Sequence, residues 1–341
     1  MNVALGMSGG VDSSAAAILL KDKGYNVSGI TLKLFGNADS DAKAVCRRLN
    51  IPHTFVDLTE EFKNTVIENF VSEYIKARTP NPCVLCNEKI KFGKMLFYAL
   101  DGGFDLIATG HYARLKNIDG RTLLLKAKDL TKDQSYYLYG LNQFMLSHTL
   151  FPLGELTKAE SRELAEQKGL LNAKKKDSQD ICFVPDGEYA KFITEFSGFV
   201  SNQGNFTDLS GNILGRHKGI INYTVGQRKG LGIALGKPAF VISKNAGKNT
   251  VTLGDEENLF YKKVLVKAIN YIPFDGLKSD MPVKAKLRYR QTEQPAVLHP
   301  VSENEAVIEF NEPQRAPASG QSAVFYDGDV VIGGGIIEKG M

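Results

Sequence analysis

Residues 3–20 read VALGMSGGVDSSAAAILL, and this stretch decides the fold of the N-terminal part of the chain. The apolar run up to Met7 predicts a strand, the paired Gly9 and Gly10 predict a tight turn, and the apolar run after Asp12 predicts a helix. Adjacent glycines let the backbone approach an anion closely, and the first N–H groups of a helix have no intrahelical acceptor. Neighbouring serine hydroxyls add further donors. The stretch therefore predicts a phosphate site for a nucleotide.

The residues around this turn exclude two common nucleotide motifs. No Gly-Lys-Ser/Thr follows the turn, which excludes a Walker A loop, and no Gly-x-Gly-x-x-Gly is present, which excludes the dinucleotide fingerprint. The remaining pattern SGGVDS, residues 8–13, resembles the PP-loop of the ATP pyrophosphatases, which hold the pyrophosphate of ATP and transfer AMP to a carbonyl-type oxygen. The alternative is an ordinary strand-to-helix turn. A carboxylate beside bound triphosphate would be repelled unless it held Mg²⁺, so Asp12 is a candidate metal contact.

Composition indicates a globular protein of several domains. With 341 residues and 43% apolar residues, two or three domains are expected. No run reaches the ~18 apolar residues of a membrane span, and the N-terminus lacks the pattern of a signal peptide. We therefore expect a cytoplasmic protein with no membrane partner. A net charge of +4 permits a nucleic-acid partner without requiring one.

The pattern of apolar residues divides the chain into three parts. Helical stretches such as 41–49 and 158–168 alternate with short apolar strands such as 27–34 and 106–109, which is typical of an α/β domain with a mainly parallel sheet. Glycine-rich, short-strand sequence follows, and then alternating runs such as 283–287 and 306–310 predict an antiparallel β-barrel. Gly24 is expected to close the first helix, and Thr157 with Glu160 to open a later one as a capping box. The predicted domains are 1–187, 188–257 and 258–341.

Four cysteines in a reducing compartment favour catalysis, sulfur transfer or metal binding over structural disulfides. Residues 78–87, RTPNPCVLCN, predict a proline-stiffened loop that enters a helix. Cys86 is then close to a helix N-terminus, with Lys89 and Lys91 nearby, and both influences favour the thiolate, so Cys86 is the candidate nucleophile.

Two further cysteines have different expected roles. Cys182, in SQDICF at residues 178–183, could meet Cys86 in space, and a persulfide on one thiol could then be resolved by the other to form a disulfide. The alternative for Cys182 is a buried core thiol. Cys46 fits an amphipathic helix, where a structural role is favoured.

Further blocks extend the pattern over nearly the whole chain. With the loops already described, the chain resembles the bacterial tRNA-specific 2-thiouridylases, the MnmA/TrmU family. The blocks that carry the resemblance occur in the family's order and include KF at 91–92, TGHYAR at 109–114, KDQSY at 132–136, CF at 182–183, GQRKGLG at 226–232, RYRQ at 288–291 and GQSAVFY at 320–326.

The resemblance implies a fold and a reaction. The implied fold is a parallel-sheet PP-loop domain, like the adenine nucleotide alpha hydrolases, followed by a small central domain and a C-terminal antiparallel β-barrel that binds tRNA. The implied enzyme is a tRNA-uridine 2-sulfurtransferase with ATP and Mg²⁺ as cofactors. It adenylates the C2 oxygen of the wobble uridine U34, and sulfur from a cysteine persulfide then displaces AMP to give 2-thiouridine. The implied partners are tRNAs for Lys, Glu and Gln and a cysteine desulfurase or other sulfur-relay protein.

The resemblance also implies roles for individual residues. Cys86 would be the nucleophile, Cys182 the persulfide carrier that forms a transient disulfide with it, and Asp12 a further catalytic residue. ATP would contact Gly6, Met7, Ser8, Gly9, Gly10, Val11, Asp12, Ser13, Leu32 and Gly110. The target base would be bordered by Asn81, Pro82 and Cys83. The tRNA would be contacted by His111, Lys132, Asp133, Gln134, Arg288, Tyr289 and Gln321.

Several of these residues also have plainer interpretations. His111 could be a core or capping histidine, and residues 132–134 could form a solvated turn. Arg288 and Arg290 could simply alternate on the wet face of a strand, although interleaved basic and aromatic residues also suit a phosphate-and-stacking surface.

Cys83 is a departure from the common family pattern, which has aspartate there. Three thiols around one site, Cys83, Cys86 and Cys182, could hold a [4Fe–4S] cluster with one open iron, whereas zinc would need a fourth ligand that spacing does not supply. We favour a persulfide relay. The segment after Phe35 is shorter than in many relatives, so the lid over ATP is undefined. Two other functions stay open, a small-molecule PP-loop ligase and a non-catalytic RNA- or metal-binding protein.

Overall fold

The described part of the computed structural model comprises residues 1–36, 40–170, 181–184 and 187–341. Residues 37–39, in the short segment after Phe35, lie outside it, and so do residues 178–180 of the second cysteine motif. In the described chain no helix combines the length and apolar character needed to cross a bilayer.

The N-terminal part is built on a parallel sheet. Its strands are β1 (Asn2–Gly6), β2 (Asn26–Lys33), β3 (His53–Asp57), β4 (Leu106–Ala108) and, after the hairpin β5 (Arg114–Ile118) and β6 (Arg121–Leu125), β7 (Thr149–Leu150). The sheet has the order β3-β2-β1-β4-β7 with parallel neighbours, which confirms the predicted α/β class. The helices of this part are α1 (Val11–Asp22), α2 (Ser40–Arg48), α3 (Thr59–Phe62), α4 (Glu68–Ile75), α5 (Pro82–Leu85), α6 (Met95–Asp101), α7 (Gln143–Ser147) and α8 (Lys158–Gln167).

The predicted helix ends are confirmed. Gly24 follows α1 with φ +81°, a left-handed conformation that glycine adopts without strain, and its N–H donates to Lys21 O over 2.9 Å. Thr157 and Glu160 form the capping box at the start of α8, each side chain bonding to the other residue's backbone N–H. Local sequence therefore sets where these helices begin and end.

A continuous helical run carries the first two cysteines of the predicted site. It passes from α5 through a π-helical segment, Cys86–Lys94, into α6. π-Helical turns widen the helix locally and are frequent at functional sites. Ile90, Phe92 and Leu96 on the inner face of this run are buried in an apolar cluster on one side of the sheet.

The other side of the sheet is covered by α1, α2 and α8. Cys46 of α2 is wholly buried there, and a Cβ added at Gly29 would lie 2.7 Å from its sulfur. Burial raises the pKa of Cys46 to about 11. Cys46 is therefore a packing residue, as its amphipathic helix predicts.

A small central sheet follows the helix α9 (Tyr189–Ser197). It has the order β10-β11-β8-β9, in which β8 and β11 are parallel and the other neighbours antiparallel. Phe206 of β8 is wholly buried, and its ring packs against the ring of His217 in β9 and the ring of Tyr223 in the segment after β9. The strands are β8 (Gly204–Thr207), β9 (Ile213–His217), β10 (Phe240–Asn245) and β11 (Thr250–Gly254).

Six antiparallel strands close into a barrel at the C-terminus. Closure occurs because β12 pairs with both β15 and β17, and this confirms the predicted barrel. The hairpin β5–β6 of the N-terminal part extends the barrel through the pair Leu125 and Val330. The barrel strands are β12 (Phe260–Tyr271), β13 (Met281–Lys286), β14 (Gln294–Ser302), β15 (Glu305–Arg315), β16 (Ser322–Asp327) and β17 (Val330–Gly340).

The plainer interpretation, in which Arg288 and Arg290 alternate on the wet face of a strand, is wrong. Strand β13 ends at Lys286, and the following residues form a turn. The Gln291 side chain accepts the Leu287 N–H over 2.8 Å, and the Gln291 N–H donates to Arg288 O over 3.1 Å. These bonds turn the chain back before the next strand, so Arg288 and Tyr289 project from a loop.

Candidate active site

The glycine turn has the geometry of a phosphate cradle. Gly9 has φ +75°, and Gly10 is the N-cap of α1, whose start carries no capping side chain among the described residues. The Ser8 and Ser13 hydroxyls lie 3.4 Å apart, and Ser13 Oγ donates to Gly10 O over 3.0 Å. Backbone N–H groups at the start of a helix, together with two hydroxyls, form a set of donors that suits an anion.

Gly110 packs directly against this helix start. A Cβ at Gly110 would lie 2.9 Å from the Asp12 carbonyl carbon and from the Ser13 nitrogen, so only glycine fits. Gly6 ends β1 and Gly110 follows β4, so both belong to the carboxyl edge of the parallel sheet, where ligands bind in open α/β folds. Leu32 lies on β2, two residues after Ile30, which pairs with Gly6 of β1, and its side chain is half-buried.

Asp12 is already paired with a lysine. Lys158 Nζ lies 2.7 and 2.8 Å from the two Asp12 oxygens, and the Tyr112 hydroxyl donates to Asp12 Oδ1 over 2.9 Å. Lys158 therefore balances the Asp12 charge in this structure, and a contact of Asp12 with Mg²⁺ in the ATP complex stays a prediction. Sequence reasoning missed Lys158, although a lysine immediately after the Thr157 cap is unusual at a helix start.

The segment 132–134 stabilises the site from within. Gln134 exchanges hydrogen bonds with the backbone of Tyr112, at 2.9 Å through its side chain and 2.8 Å through its N–H. Asp133 is 5% exposed and accepts from Ala127 N–H over 3.0 Å and from the Ser135 hydroxyl over 2.8 Å. Asp133 therefore shapes the loop in this conformation, while Lys132 is half-exposed.

The C-terminal barrel clamps the loop in front of the cysteines. Gln321 Nε2 donates to Thr79 O over 2.9 Å and to Pro80 O over 3.2 Å. The Thr79 N–H donates to Ser319 O over 2.8 Å, and Arg78 forms an ion pair with Glu338 at 2.9 Å. The Gln321 amide group is thus used inside the protein, where it orders the loop that leads to Cys83.

The expected thiolate at Cys86 is not found. Cys86 is the fifth residue of the continuous helical run from Pro82, beyond the first turn where the helix dipole acts, and it is only 8% exposed. Lys89 pairs with Glu88 at 2.6 Å. Burial raises the pKa of Cys86 to about 11, and Lys91 opposes this only in part. Cys86 is therefore a protonated thiol at neutral pH.

The other two cysteines of the site are exposed. Cys83 occupies the first turn of α5, after Asn81 at the N-cap and Pro82 at the first helical position. Cys182 precedes the buried Phe183, whose ring packs against Phe62 and Phe70.

The three thiols share one electrostatic environment. Desolvation raises the pKa of both Cys83 and Cys182, and the positive charge of Lys91 lowers the pKa of all three thiols. Charge on Cys182 raises the pKa of Cys83 and of Cys86, which indicates that the three lie close together. Even so, the described residues contain no group of three His, Cys, Asp or Glu side chains positioned to hold a metal, and the arrangement does not fit a cluster as it stands.

His111 connects the two halves of the site. Its ring lies 5.8 Å from the ring of Phe92, and its Nδ1 lies 2.8 Å from the Thr109 hydroxyl. Burial, with a smaller contribution from Lys91, lowers its pKa well below the usual value, so the imidazole is neutral. Because Gly110 touches the glycine turn and His111 touches the cysteine helix, residues 109–111 hold the two together.

Tyr137, which sequence reasoning missed, lies beside Cys83 and packs against Tyr289, which the family resemblance names as a tRNA contact. The centroids of the Tyr137 and Tyr289 rings lie 4.5 Å apart, and burial, with a smaller contribution from the charge of Cys83, raises the pKa of Tyr137. Asn87, 2% exposed, donates to Tyr137 O over 3.1 Å, while its Oδ1 has no partner among the described residues. Arg288 is exposed and donates to Ala316 O over 2.8 Å.

Comparison with known proteins assigns the chain to a family. Three family models match it: a tRNA methyl transferase HUP domain at residues 1–186, a tRNA methyl transferase PRC-barrel domain at 190–255 and an aminomethyltransferase beta-barrel domain at 261–337. The tRNA-specific 2-thiouridylase MnmA 1 of Clostridium tetani is 49% identical, with 99% of this chain and 96% of the relative covered. The chain belongs to the MnmA family of tRNA-specific 2-thiouridylases.

A second full-length relative agrees with this assignment. The MnmA 1 protein of Clostridium botulinum strain Loch Maree is 47% identical, with 99% of both chains covered. A solved structure described as a 4-thiouridine synthetase–RNA complex with bound ATP has a TM-score of 0.37 at 16% identity, covering 57% of this chain and 51% of that one. The family assignment rests on the full-length MnmA relatives.

The clamp on the cysteine loop predicts a specific effect of Gln321→Ala. Losing the bonds to Thr79 and Pro80 should speed amide hydrogen exchange in residues 79–86 of the tRNA-free protein and lower the thiolation rate by about threefold to tenfold. Gln294→Ala is the matched control, because the Gln294 amide donates to Thr292 O within the barrel over 3.3 Å. Unchanged exchange together with a raised KM for tRNA would contradict the positioning role and favour direct tRNA contact.

Proposed function

We propose that this protein uses ATP to thiolate the C2 position of the wobble uridine, U34, of tRNA. The observation that carries the proposal is the short connection at residues 109–111, which joins a glycine turn suited to an anion to the helical run that bears Cys83 and Cys86. Membership of the MnmA family supports the same reaction. A small-molecule ligase would need neither the thiols nor the barrel, and a binding module would need no phosphate cradle.

ATP would lie on residues Gly6 to Ser13, with Leu32 and Gly110 beside the nucleoside. The donors at the start of α1 fit phosphoryl oxygens, and the close contact at Gly110 keeps the edge of the cradle free of side chains. Mg²⁺ bound with ATP would neutralise phosphate charge. Asp12 could face it only after giving up part of its pairing with Lys158.

The target uridine must leave the base stack of the anticodon loop to reach this site. We propose that Asn81, Pro82 and Cys83 border the extruded base, with the Tyr137–Tyr289 pair beside it as an aromatic surface. Exposed Arg288 and half-exposed Lys132 would contact phosphates.

The proposed domains are residues 1–187, 188–257 and 258–341. The proposed acceptors are the tRNAs for Lys, Glu and Gln.

The sulfur step divides the work between two thiols. A desulfurase or relay protein would load Cys182, which is exposed, as a persulfide. The Cys86 thiolate would attack the Cys182 sulfur, forming the Cys86–Cys182 disulfide and releasing hydrosulfide as the persulfide S–S bond breaks. Hydrosulfide would then attack C2 of the adenylated uridine, and AMP would leave with the electrons of the C2–O bond. A thiol reductant would restore both cysteines.

Lys91 would supply the positive charge that stabilises the Cys86 thiolate when it attacks the persulfide. Cys86 is protonated in the resting protein because burial raises its pKa to about 11, and Lys91 is the positive group that opposes this shift. Attack on the persulfide requires the thiolate. We therefore propose that closure of the site on tRNA strengthens the influence of Lys91 on Cys86.

The products test the adenylation step. During tRNA thiolation, equal amounts of AMP and pyrophosphate should form for each 2-thiouridine, because a PP-loop without a Walker lysine favours cleavage at the α-phosphate. Chromatography of radiolabelled ATP products would measure this, with reactions lacking tRNA as the control. Formation of ADP and phosphate in step with thiolation would contradict the proposal.

Substitution of single cysteines tests the relay. Cys86→Ser and Cys182→Ser should each abolish 2-thiouridine formation, because the nucleophile and the carrier have separate duties. Cys46→Ser is the matched control, since Cys46 is wholly buried on the opposite side of the sheet, and it should retain thiolation. The assignment would fail if Cys46→Ser lost activity as completely as Cys86→Ser while its circular dichroism stayed normal.

Cys83→Asp separates the relay from the cluster alternative. Aspartate restores the common family residue, so a relay through Cys86 and Cys182 should keep substantial activity. A [4Fe–4S] cluster on the three cysteines would lose a soft ligand, and iron content and turnover would fall together. Anaerobic purification with iron and sulfide analysis, paired with thiolation assays, measures both. Loss of thiolation together with loss of iron would overturn the relay.

A further inference from the structure

Lys158 holds a position that its role in the fold does not explain. It is the first residue of α8, is 9% exposed, and reaches across to α1 to bind both oxygens of Asp12 at 2.7 and 2.8 Å. A positive charge at a helix N-terminus is opposed by the helix dipole, and lysine is rarely this buried without a strong partner.

A second lysine–aspartate pair between the same helices provides a comparison. Lys168 lies beyond the C-terminal end of α8, 4.0 Å from Asp22 of α1, and both side chains are well exposed. Exposed pairs of this kind contribute little to stability. The Lys158–Asp12 pair at the other end of α8 is shorter and less exposed, and Asp12 lies two residues after Gly10, where the phosphate cradle begins.

We infer that Lys158 is the phosphate-binding cation of this glycine turn, held on Asp12 until the triphosphate arrives. The inference rests on the proposed function, which makes ATP the ligand of the cradle. The turn itself contains no lysine. The lysine side chain is flexible, so the Lys158 ammonium group can move from the Asp12 carboxylate to a neighbouring phosphoryl oxygen. Asp12 then keeps the hydrogen bond from Tyr112, at 2.9 Å, and is released to face a cation bound with the nucleotide.

Nucleotide titration of tRNA-free protein tests this role. A non-hydrolysable ATP analogue with Mg²⁺ should bind Lys158→Met about tenfold or more weakly than wild type, because a charge-assisted bond to phosphate is lost. AMP, which lacks the β- and γ-phosphates, should lose less than about threefold. Lys158→Arg should recover part of the affinity, and Lys168→Met should bind both nucleotides as wild type does.

Double variants distinguish phosphate binding from simple neutralisation of Asp12. Asp12→Asn removes the carboxylate, and in that background Lys158→Met should still weaken binding of the ATP analogue about tenfold. Equal affinities of Asp12→Asn and the double variant would overturn the inference, as would an equal loss for AMP and the ATP analogue. Lys158→Met alone leaves the Asp12 carboxylate without its lysine partner and could unfold the protein, which circular dichroism would show. The double variant removes both charges, so it still allows the test in that case.

The outcomes also separate this inference from the proposed function. Absence of ATP-analogue binding by wild-type protein would contradict both. Normal binding by wild type with unchanged affinity in Lys158→Met would overturn the role of Lys158 alone.

Discussion

A contact between two backbones at Gly110 is the constraint on which the site depends. The strand end after β4 lies so close to the first turn of α1 that a single added carbon would meet backbone atoms at 2.9 Å. One residue later, His111 packs on Phe92 of the cysteine helix. Residues 109–111 directly follow β4, so the end of this central strand connects the cradle to the cysteine helix. The proposed reaction, in which AMP passes from ATP to the base and sulfur then displaces it, requires the cradle and the thiols to lie on either side of the same base.

The barrel contributes to the same geometry from the other end of the chain. An apolar cluster that includes Phe62, Phe183 and Tyr326 is continuous from the N-terminal sheet to the barrel, and polar bonds from Gln321 and Glu338 hold the loop before Cys83. The surface proposed to receive tRNA and the loop that carries the thiols are therefore parts of one packed unit. Movement of the barrel relative to the sheet would shift this loop directly.

Sequence predicted the features that depend on local chemistry. The strand, turn and helix around Gly9, the capping box at Thr157 and the alternating strands of the barrel all follow from residues a few positions apart. The errors arose where distant segments meet. Lys158 finds Asp12 across 146 residues, and Cys86 is buried by packing that periodicity does not reveal. The alternative of a strand through Arg288 is excluded because the Gln291 side chain accepts the Leu287 N–H and turns the chain there.

The contrast in exposure between Cys86 and Cys182 has a consequence for the resting protein. Oxidants and stray disulfides react with thiolates far faster than with thiols, and they need access. Burial keeps Cys86 protonated, with a pKa of about 11, so it resists both overoxidation and unproductive pairing while no substrate is present. Cys182 is exposed to solvent, from which the proposed sulfur donor would approach. The fold thereby keeps one of the two sulfurs chemically latent in the resting protein while the other stays accessible.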